Sequence, residues 1–297
     1  MIKQFYYILL LIVSVSCANT DKSENIQKEE IQTCRVELSR PDSIKLANFQ
    51  QIASENKLTE KSIPEIQMLV ADWFMGTPYV GGTLDVNEKE QLTVNLQGLD
   101  CVTFVENVTV LGMCIKSNEF SNEKYFEKLQ TIRYRDGKIN GYVSRLHYFT
   151  DWLLNNQSKG LITIVSNDFG DVDFDASVSF MSQNPQYYKP LSDSIVLSEI
   201  KETEKRISAV NLKMVSEEHL ENVESLIKDG DIIAIATTIK GIDIAHTGIA
   251  KHLNGRLYFI HASSVKGKVV ISEKPLSEYL KSIKTDTGVL TARINQQ

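Results

Sequence analysis

The dipeptide Asn254-Gly255 constrains the fold of this chain more than any other short segment. It separates two runs rich in β-formers, His246–Leu253 and Arg256–Ser263, and Asn-Gly is the strongest local signal for a two-residue hairpin turn. Such a turn places His246 and His261 on one face as diagonal neighbours, roughly 7–8 Å apart at the backbone. His252 shares that face but lies roughly 20 Å away, near the turn. The hairpin therefore predicts that two of these three imidazoles meet.

The composition describes a globular protein. The chain has 297 residues, of which 42% are hydrophobic and 24% are charged, so it can form one large domain or two small ones. Its 32 basic and 38 acidic residues give a net charge of -6. This balance provides no electrostatic attraction to nucleic acid or to an anionic membrane surface. We expect no nucleic-acid partner.

The first residues predict export. Residues 1–16 combine Lys3 with an apolar run from Phe5 to Val15 that is short for a membrane span, which is typical of a signal peptide. Cys17 follows, and a cleavage site before a Cys resembles the lipobox of bacterial lipoproteins. The resemblance implies lipidation of Cys17 and an anchor in the cell envelope facing the periplasm, the lipid being the only membrane contact. Plain secretion is the alternative.

The segment after the signal peptide is polar. Residues 17–60 are interpreted as the lipidated N-terminus and a flexible tether, because the polar stretch buries too little apolar surface to offset its chain entropy. Cys34 lies in this segment. Residues 61–297 then form the globular domain.

Two helix starts stand out in that domain. Ser62 and Glu65 form a capping-box pattern ahead of an apolar helical stripe. A second stripe begins at Cys101, which places this thiol in the first turn of a helix. Cys114 is thirteen residues further on, roughly 20 Å along the helix axis. It is therefore interpreted as a buried small hydrophobe rather than a disulfide partner of Cys101.

These residues suit nucleophilic catalysis. The positive end of a helix dipole lowers the pKa of a thiol, a neighbouring imidazole completes the activation, and a second polar group orients that imidazole. Cys101, His246 and His261 can fill the three roles. The same residues could instead be structural, or could bind zinc together, although no further Cys or His spacing supports zinc. We expect neither a metal nor another cofactor.

Four blocks of sequence carry a resemblance to a known family. The segments at 76–82, 99–101, 245–249 and 259–263 resemble, in order, the motifs of NlpC-type cell-wall peptidases. The resemblance implies a papain-like α+β fold, in which the nucleophile sits at a helix N-terminus packed on an antiparallel sheet. It also implies that Cys101 is the nucleophile, His246 the base and His261 the orienting residue, with Tyr79 lining the oxyanion position.

Two departures from the family motifs indicate one branch of the superfamily. Val102-Thr103 replaces the usual small pair after the nucleophile, and His246 follows Cys101 by 145 positions, which implies a large insertion at about 116–228. Together with the segments 100–106 and 144–148, these features resemble those of one branch of the superfamily, which was once known only as a domain of unknown function. That branch is associated with N-acetylmuramoyl-L-alanine amidase activity on peptidoglycan or its fragments. The alternatives are a D-Glu–diamino acid endopeptidase and a non-catalytic peptidoglycan-binding lipoprotein.

The insertion supplies candidate substrate contacts. The planar guanidinium of Arg145 suits bidentate binding of a substrate carboxylate, although an ordinary salt bridge would use the same group. Ser144 and Asp100 could add polar contacts to the peptide of a muropeptide. His147 and Trp152 either stack on the ligand or belong to a helix core. We expect the protein to be a monomer.

Overall fold

An antiparallel sheet forms the centre of the structure, a computed structural model that describes residues 38–295. Neighbouring strands follow the order β2-β3-β8-β4-β5-β6-β7, and β1 pairs with β8 as well. The strands are β1 Ile162–Ile164, β2 Val172–Asp173, β3 Lys213–Ser216, β4 Ile232–Thr237, β5 Ile244–Leu253, β6 Arg256–Ser263, β7 Lys268–Ile271 and β8 Asp286–Ile294. The predicted α+β class with an antiparallel sheet is confirmed.

Helices cover the sheet. They are α1 Arg40–Glu55, α2 Ile63–Trp73, α3 Cys101–Lys116, α4 Asn122–Arg133, α5 Phe149–Ser158, α6 Phe180–Gln183, α7 Ser194–Ile207, α8 Leu220–Val223 and α9 Leu276–Lys281. Short 3₁₀ turns lie at 58–60, 135–137, 142–144, 165–168, 185–187, 189–192 and 224–226. Within the described residues, no helix is long and apolar enough to cross a membrane.

The two faces of the sheet belong to two apolar clusters. One face packs with α3 through Ile232, Ile249 and Ile260, which share a cluster with Phe104 and Val108. The opposite face carries Ile233, Ile235, Ala250, Phe259 and Val289, which pack with Leu276 and Leu280 of α9. Successive side chains of a strand point to opposite faces, so residue parity decides which cluster a side chain joins.

The predicted hairpin is confirmed. Asn254 and Gly255 both have positive φ, 51° and 79°, as a primed two-residue turn requires. Leu253 pairs with Arg256, and the ladder continues to Ile249 and Ile260. The ends of β5 and β6 that carry His246 and His261 extend beyond this ladder.

The segment expected as an insertion is built into the domain. Its strands β1 and β3 both pair with β8, which lies near the other end of the chain. The carboxylate of Asp243, just before β5, accepts the backbone N–H of Thr150 at the start of α5 at 2.7 Å. Residues 116–228 therefore extend the central sheet and contact the residue that precedes the strand of His246.

The interpretation of residues 17–60 as a flexible tether is wrong from residue 40 onwards. Helix α1 begins after Ser39, whose hydroxyl accepts the N–H of Asp42, and it buries Leu46 and Phe49 almost completely. Only a few apolar residues form its buried face, so the polar majority hid the amphipathic pattern. The signal peptide, Cys17 and Cys34 lie outside the described residues.

The two cysteines of the described residues are both free. Cys101 is partly exposed at the first position of α3, whereas Cys114 is fully buried near its end. This confirms that the two do not pair and that Cys114 packs as a small apolar residue.

Substitutions in α1 test whether this helix belongs to the folded domain. We expect Phe49→Ala to lower the free energy of unfolding by about 3–5 kcal/mol, because Phe49 is 1% exposed. Ile44→Ala on the same helix is the matched control: with Ile44 52% exposed, its effect should stay within about 0.5 kcal/mol. Urea denaturation would measure both values. Equal, negligible effects would mean that residues 40–55 are not part of the fold.

Candidate active site

Helix α3 begins at Cys101 because Asp100 caps it. The Asp100 carboxylate accepts the N–H of Thr103 at 2.8 Å, and the Asp100 N–H donates to the Thr103 hydroxyl at 2.9 Å. This reciprocal pair is a capping box that fixes the start of the helix. The amides of Cys101 and Val102 precede the first amide of the helical ladder, so they face out of the helix start. The placement of Cys101 in the first turn is confirmed.

Thr247 connects Cys101 to the strand that carries His246. The Thr247 hydroxyl donates to the carbonyl oxygen of Cys101 at 2.9 Å. Thr247 belongs to the face of β5 that packs with α3, so the preceding residue, His246, belongs to the other face. One hydrogen bond therefore ties the start of α3 to the backbone beside His246.

The two imidazoles meet as the hairpin predicts. The Nε2 atom of His246 lies 2.6 Å from the Nδ1 atom of His261, and the ring planes are nearly perpendicular at 87°. The His261 ring also stacks on Phe259 with centroids 4.3 Å apart. If His246 donates from Nε2, its Nδ1 atom is unprotonated and can accept a proton. His261 would then hold that tautomer of His246 in place.

Gly248 allows the two strands to approach closely at this point. A Cβ atom at position 248 would lie 2.6 Å from the carbonyl oxygen of Ile260 and 3.2 Å from the Cβ atom of His261. Contacts below 3.0 Å to backbone cannot be relieved by side-chain movement. The close packing of β5 against β6 therefore requires a glycine at position 248.

Burial sets the resting protonation of these groups. Burial, and then the charge of Asp100, raise the pKa of the Cys101 thiol to about 11, although hydrogen bonds from Thr247 and Val102 oppose the rise. Burial lowers the pKa of His246 to about 4; burial and the neighbouring His246 lower that of His261 to about 3. The expected low thiol pKa is thus wrong for the resting state, because burial outweighs the helix start. At neutral pH all three groups are uncharged.

Tyr79 lies beside the nucleophile segment. It forms a parallel bridge with Leu99, and its N–H donates to the carbonyl oxygen of Gly267 at 2.9 Å. Burial and then the charges of Cys101 and Asp100 raise the pKa of its phenol. The structure therefore brings Tyr79 near Cys101, as the resemblance implies, while its catalytic role remains a prediction.

The candidate contacts in the insertion bind other parts of the protein. The Ser144 hydroxyl donates to the carbonyl oxygen of Gly141 at 2.6 Å, within its own turn. Arg145 pairs with Asp85 and, at 3.2 Å, with Glu90. A role for Ser144 and Arg145 in substrate binding remains a prediction.

Two aromatic candidates of the insertion contact other parts of the protein. The Nε2 atom of His147 lies 2.8 Å from the carbonyl oxygen of Tyr142, and burial lowers the pKa of His147 to about 3. Trp152 is 1% exposed and stacks on Phe149. Trp152 is therefore part of the helix core.

The zinc alternative does not fit the imidazole geometry. Two nitrogens bound tetrahedrally to one zinc ion lie roughly 3.3 Å apart, given bonds of about 2.05 Å. The facing nitrogens of His246 and His261 are only 2.6 Å apart, which is a hydrogen-bond distance. Among residues 38–295, no three His, Cys, Asp or Glu side chains form a group that could hold a metal ion.

Sequence reasoning missed two neighbours of the site. Thr247 looks like an ordinary β-former, and its position next to His246 was the only signal for its role. Tyr279 of α9 packs edge-on against His261 with centroids 5.9 Å apart, and burial, Asp286 and Cys101 raise its pKa. Nothing in the local sequence of α9 predicts this contact, because it depends on how α9 packs on the sheet.

Comparisons with known proteins agree on a family. Residues 69–289 match the family model described as AmiA-like, N-acetylmuramoyl-L-alanine amidase-like. The chain is 36% identical to an N-acetylmuramoyl-L-alanine amidase from Bacteroides uniformis, covering 78% of this chain and 99% of that one, with a TM-score of 0.75.

Two further solved structures are similar. A Bacteroides fragilis protein with a provisional xylanase name is 38% identical over 76% of this chain and 100% of that one, with a TM-score of 0.73. A Legionella pneumophila protein shares the fold at 22% identity over 85% of this chain and 95% of that one, with a TM-score of 0.67. No curated protein matches the chain. The match over residues 69–289 and the 36% identity show that this chain belongs to the N-acetylmuramoyl-L-alanine amidase-like family.

Proposed function

We propose that this protein is a cysteine amidase that hydrolyses the bond between N-acetylmuramic acid and L-alanine in peptidoglycan or its fragments. Its family and the Bacteroides uniformis relative support a peptidoglycan amidase-like function. The observation that carries the finer proposal is the hydrogen bond that ties Cys101, at a capped helix start, to the strand of the His246–His261 pair.

In the first half of the reaction, the Cys101 sulfur attacks the carbonyl carbon of the lactyl amide. Its proton passes to the Nδ1 atom of His246 as the sulfur–carbon bond forms, because the resting thiol and imidazole are both neutral. His246 then gives this proton to the departing amine of L-alanine. The carbon–nitrogen bond breaks and a thioester remains on Cys101.

In the second half, water hydrolyses the thioester. His246 takes a proton from the attacking water and returns it to the sulfur when the sulfur–carbon bond breaks. The products are the lactyl carboxylic acid and the restored thiol. Throughout, the Nε2–H group of His246 keeps its hydrogen bond to the Nδ1 atom of His261. This bond fixes the His246 ring and stabilises its imidazolium form.

The negative oxygen of each tetrahedral intermediate needs donors near Cys101. The outward-facing amides at the start of α3 and the hydroxyl of Tyr79 are the proposed donors. Such donors stabilise the transition state because the charge exists there and not in the substrate.

Arg145 is the proposed anion contact for the peptide. It is 6% exposed, while the Asp85 side chain that pairs with it is 56% exposed. A substrate carboxylate could take the place of Asp85 without leaving the guanidinium unpaired, because Glu90 stays beside it.

The xylanase name of one relative implies a different chemistry. Glycoside hydrolysis generally uses two carboxylic acids that flank the scissile bond. At this site the carboxylate next to Cys101 is Asp100, which is engaged in capping α3. The residues at the site therefore favour amide hydrolysis.

Product analysis with matched cysteine variants tests the reaction. We expect the chain lacking residues 1–17 to release an intact peptide beginning with L-alanine from muropeptides, as detected by mass spectrometry. Cys101→Ala should lower turnover by at least about 10³-fold. Cys114→Ala, which alters the buried free cysteine, should retain most of the activity.

The other possible products decide between the alternatives. Release of L-Ala-D-Glu would contradict the amidase proposal and identify the endopeptidase. Tight muropeptide binding without any product would instead identify a binding lipoprotein. Full activity of Cys101→Ala would eliminate the cysteine mechanism.

The pH profile of kcat/KM tests the neutral resting pair. Protonation of His246 removes the base, so activity should rise with pH through the pKa of His246, which burial lowers to about 4. At higher pH a plateau should extend into the alkaline range, because burial raises the pKa of the Cys101 thiol to about 11. An acid limb centred at pH 6 or above would contradict this assignment.

We also propose that Cys17 carries the lipid anchor. Mass spectrometry of the membrane fraction of expressing bacteria should find a diacylglyceryl group on Cys17, and Cys17→Ser should release the protein from that fraction. Membrane retention of Cys17→Ser would argue against this anchor.

A further inference from the structure

Helix α1 holds the loop that contains Tyr79 and leads to Cys101. We define the site loop as residues 77–99, which begins at Thr77 and ends at the residue before the capping Asp100. This loop begins two residues before Tyr79 and ends two residues before Cys101. Two oppositely charged residues of α1, Asp42 and Lys45, contact it.

Both backbone polar groups of one loop residue are bound by α1. The N–H of Leu96 donates to the carboxylate of Asp42 at 2.8 Å, and the carbonyl oxygen of Leu96 accepts the ammonium of Lys45 at 2.7 Å. Leu96 is fully buried, and Asp42 is 4% exposed. A buried amide and a buried carbonyl each need a partner, so these two charges satisfy the peptide groups on either side of Leu96.

The same lysine also holds the other end of the loop. Its Nζ atom lies 3.2 Å from the hydroxyl of Thr77 and 5.2 Å from the ring centroids of Trp73 and Phe74. Thus Lys45 joins the segment that leads into Tyr79 to the segment that leads into Cys101.

We propose that Asp42 and Lys45 are positioning residues, which fix Tyr79 and the start of α3 relative to each other by holding both ends of the site loop. The inference rests on the proposed amidase function only for its kinetic readout. In the proposed mechanism Tyr79 is an oxyanion donor and Cys101 the nucleophile, so a small shift between them changes catalysis. A misplacement of about 1 Å can cost up to about 10²-fold in rate.

This role is unexpected from the family match. The matched region begins at residue 69, whereas α1 ends at Glu55. The two charges that hold the site loop therefore lie outside the region matched by the family model.

A lysine of α3 provides a matched control. Lys116 also donates its ammonium to a backbone carbonyl, that of Lys61 at 3.0 Å, but at the opposite end of α3 from Cys101. Lys45→Met and Lys116→Met each remove one hydrogen bond to a backbone carbonyl and keep an unbranched apolar side chain, and Lys45→Met also removes the bond to the Thr77 hydroxyl. Both variants would be assayed with the full-length protein at a temperature well below their measured unfolding midpoints.

We expect Lys45→Met to lower kcat by roughly tenfold or more with a smaller change in KM, because it misplaces reacting groups rather than removing a substrate contact. Lys116→Met should change kcat by less than about twofold. Equal effects of the two substitutions, or no effect of either, would overturn the positioning role.

Two measurements work without any substrate. The rate of Cys101 alkylation by iodoacetamide should change in Lys45→Met but not in Lys116→Met. Hydrogen exchange at the Leu96 amide should accelerate in Asp42→Ala, while Asp42→Asn keeps an acceptor oxygen and much of the protection. If these shifts occur and no muropeptide is cleaved, the amidase proposal fails while the positioning role stands. Unchanged alkylation and unchanged exchange would refute the positioning role itself.

Discussion

The hydrogen bond between Thr247 and the Cys101 carbonyl is the contact on which the site depends. It fixes the start of α3 against β5. Because neighbouring residues of a strand point to opposite faces, a Thr247 that faces the helix commits His246 to the other face. There His246 meets His261, whose ring is stacked on Phe259. One contact at the end of a helix thereby determines which face of the sheet holds the imidazoles.

The same burial that positions these groups opposes their ionisation. It raises the pKa of the Cys101 thiol and lowers the pKa of both imidazoles, so a resting ion pair is unfavourable. In the proposed mechanism, charge therefore forms only while the sulfur attacks, when nearby donors can stabilise it. A neutral thiol is also less reactive towards alkylating agents and oxidants than a thiolate.

Local signals in the sequence predicted the parts of the site that local structure determines. The Asn254-Gly255 turn fixed the register and so the meeting of His246 with His261, and the apolar stripe located Cys101 at a helix start. The raised pKa of the Cys101 thiol was not predictable, since its largest cause is burial, which depends on how the rest of the chain packs around Cys101. Helix α1 was missed for a different reason: few apolar residues anchor it among many polar ones.

The site is also held from two distant parts of the chain. On the nucleophile side, Asp42 and Lys45 of α1 bind the Leu96 peptide groups. On the base side, the insertion contacts the segment before β5: Asp243 caps α5, and the carbonyl oxygen of Gly241 accepts the N–H groups of Ser179 and Phe180. Both contacts use buried polar groups, which lose free energy unless their partners stay in place. Helix α1 and the insertion therefore restrict the motion of the two loops that lead to Cys101 and His246.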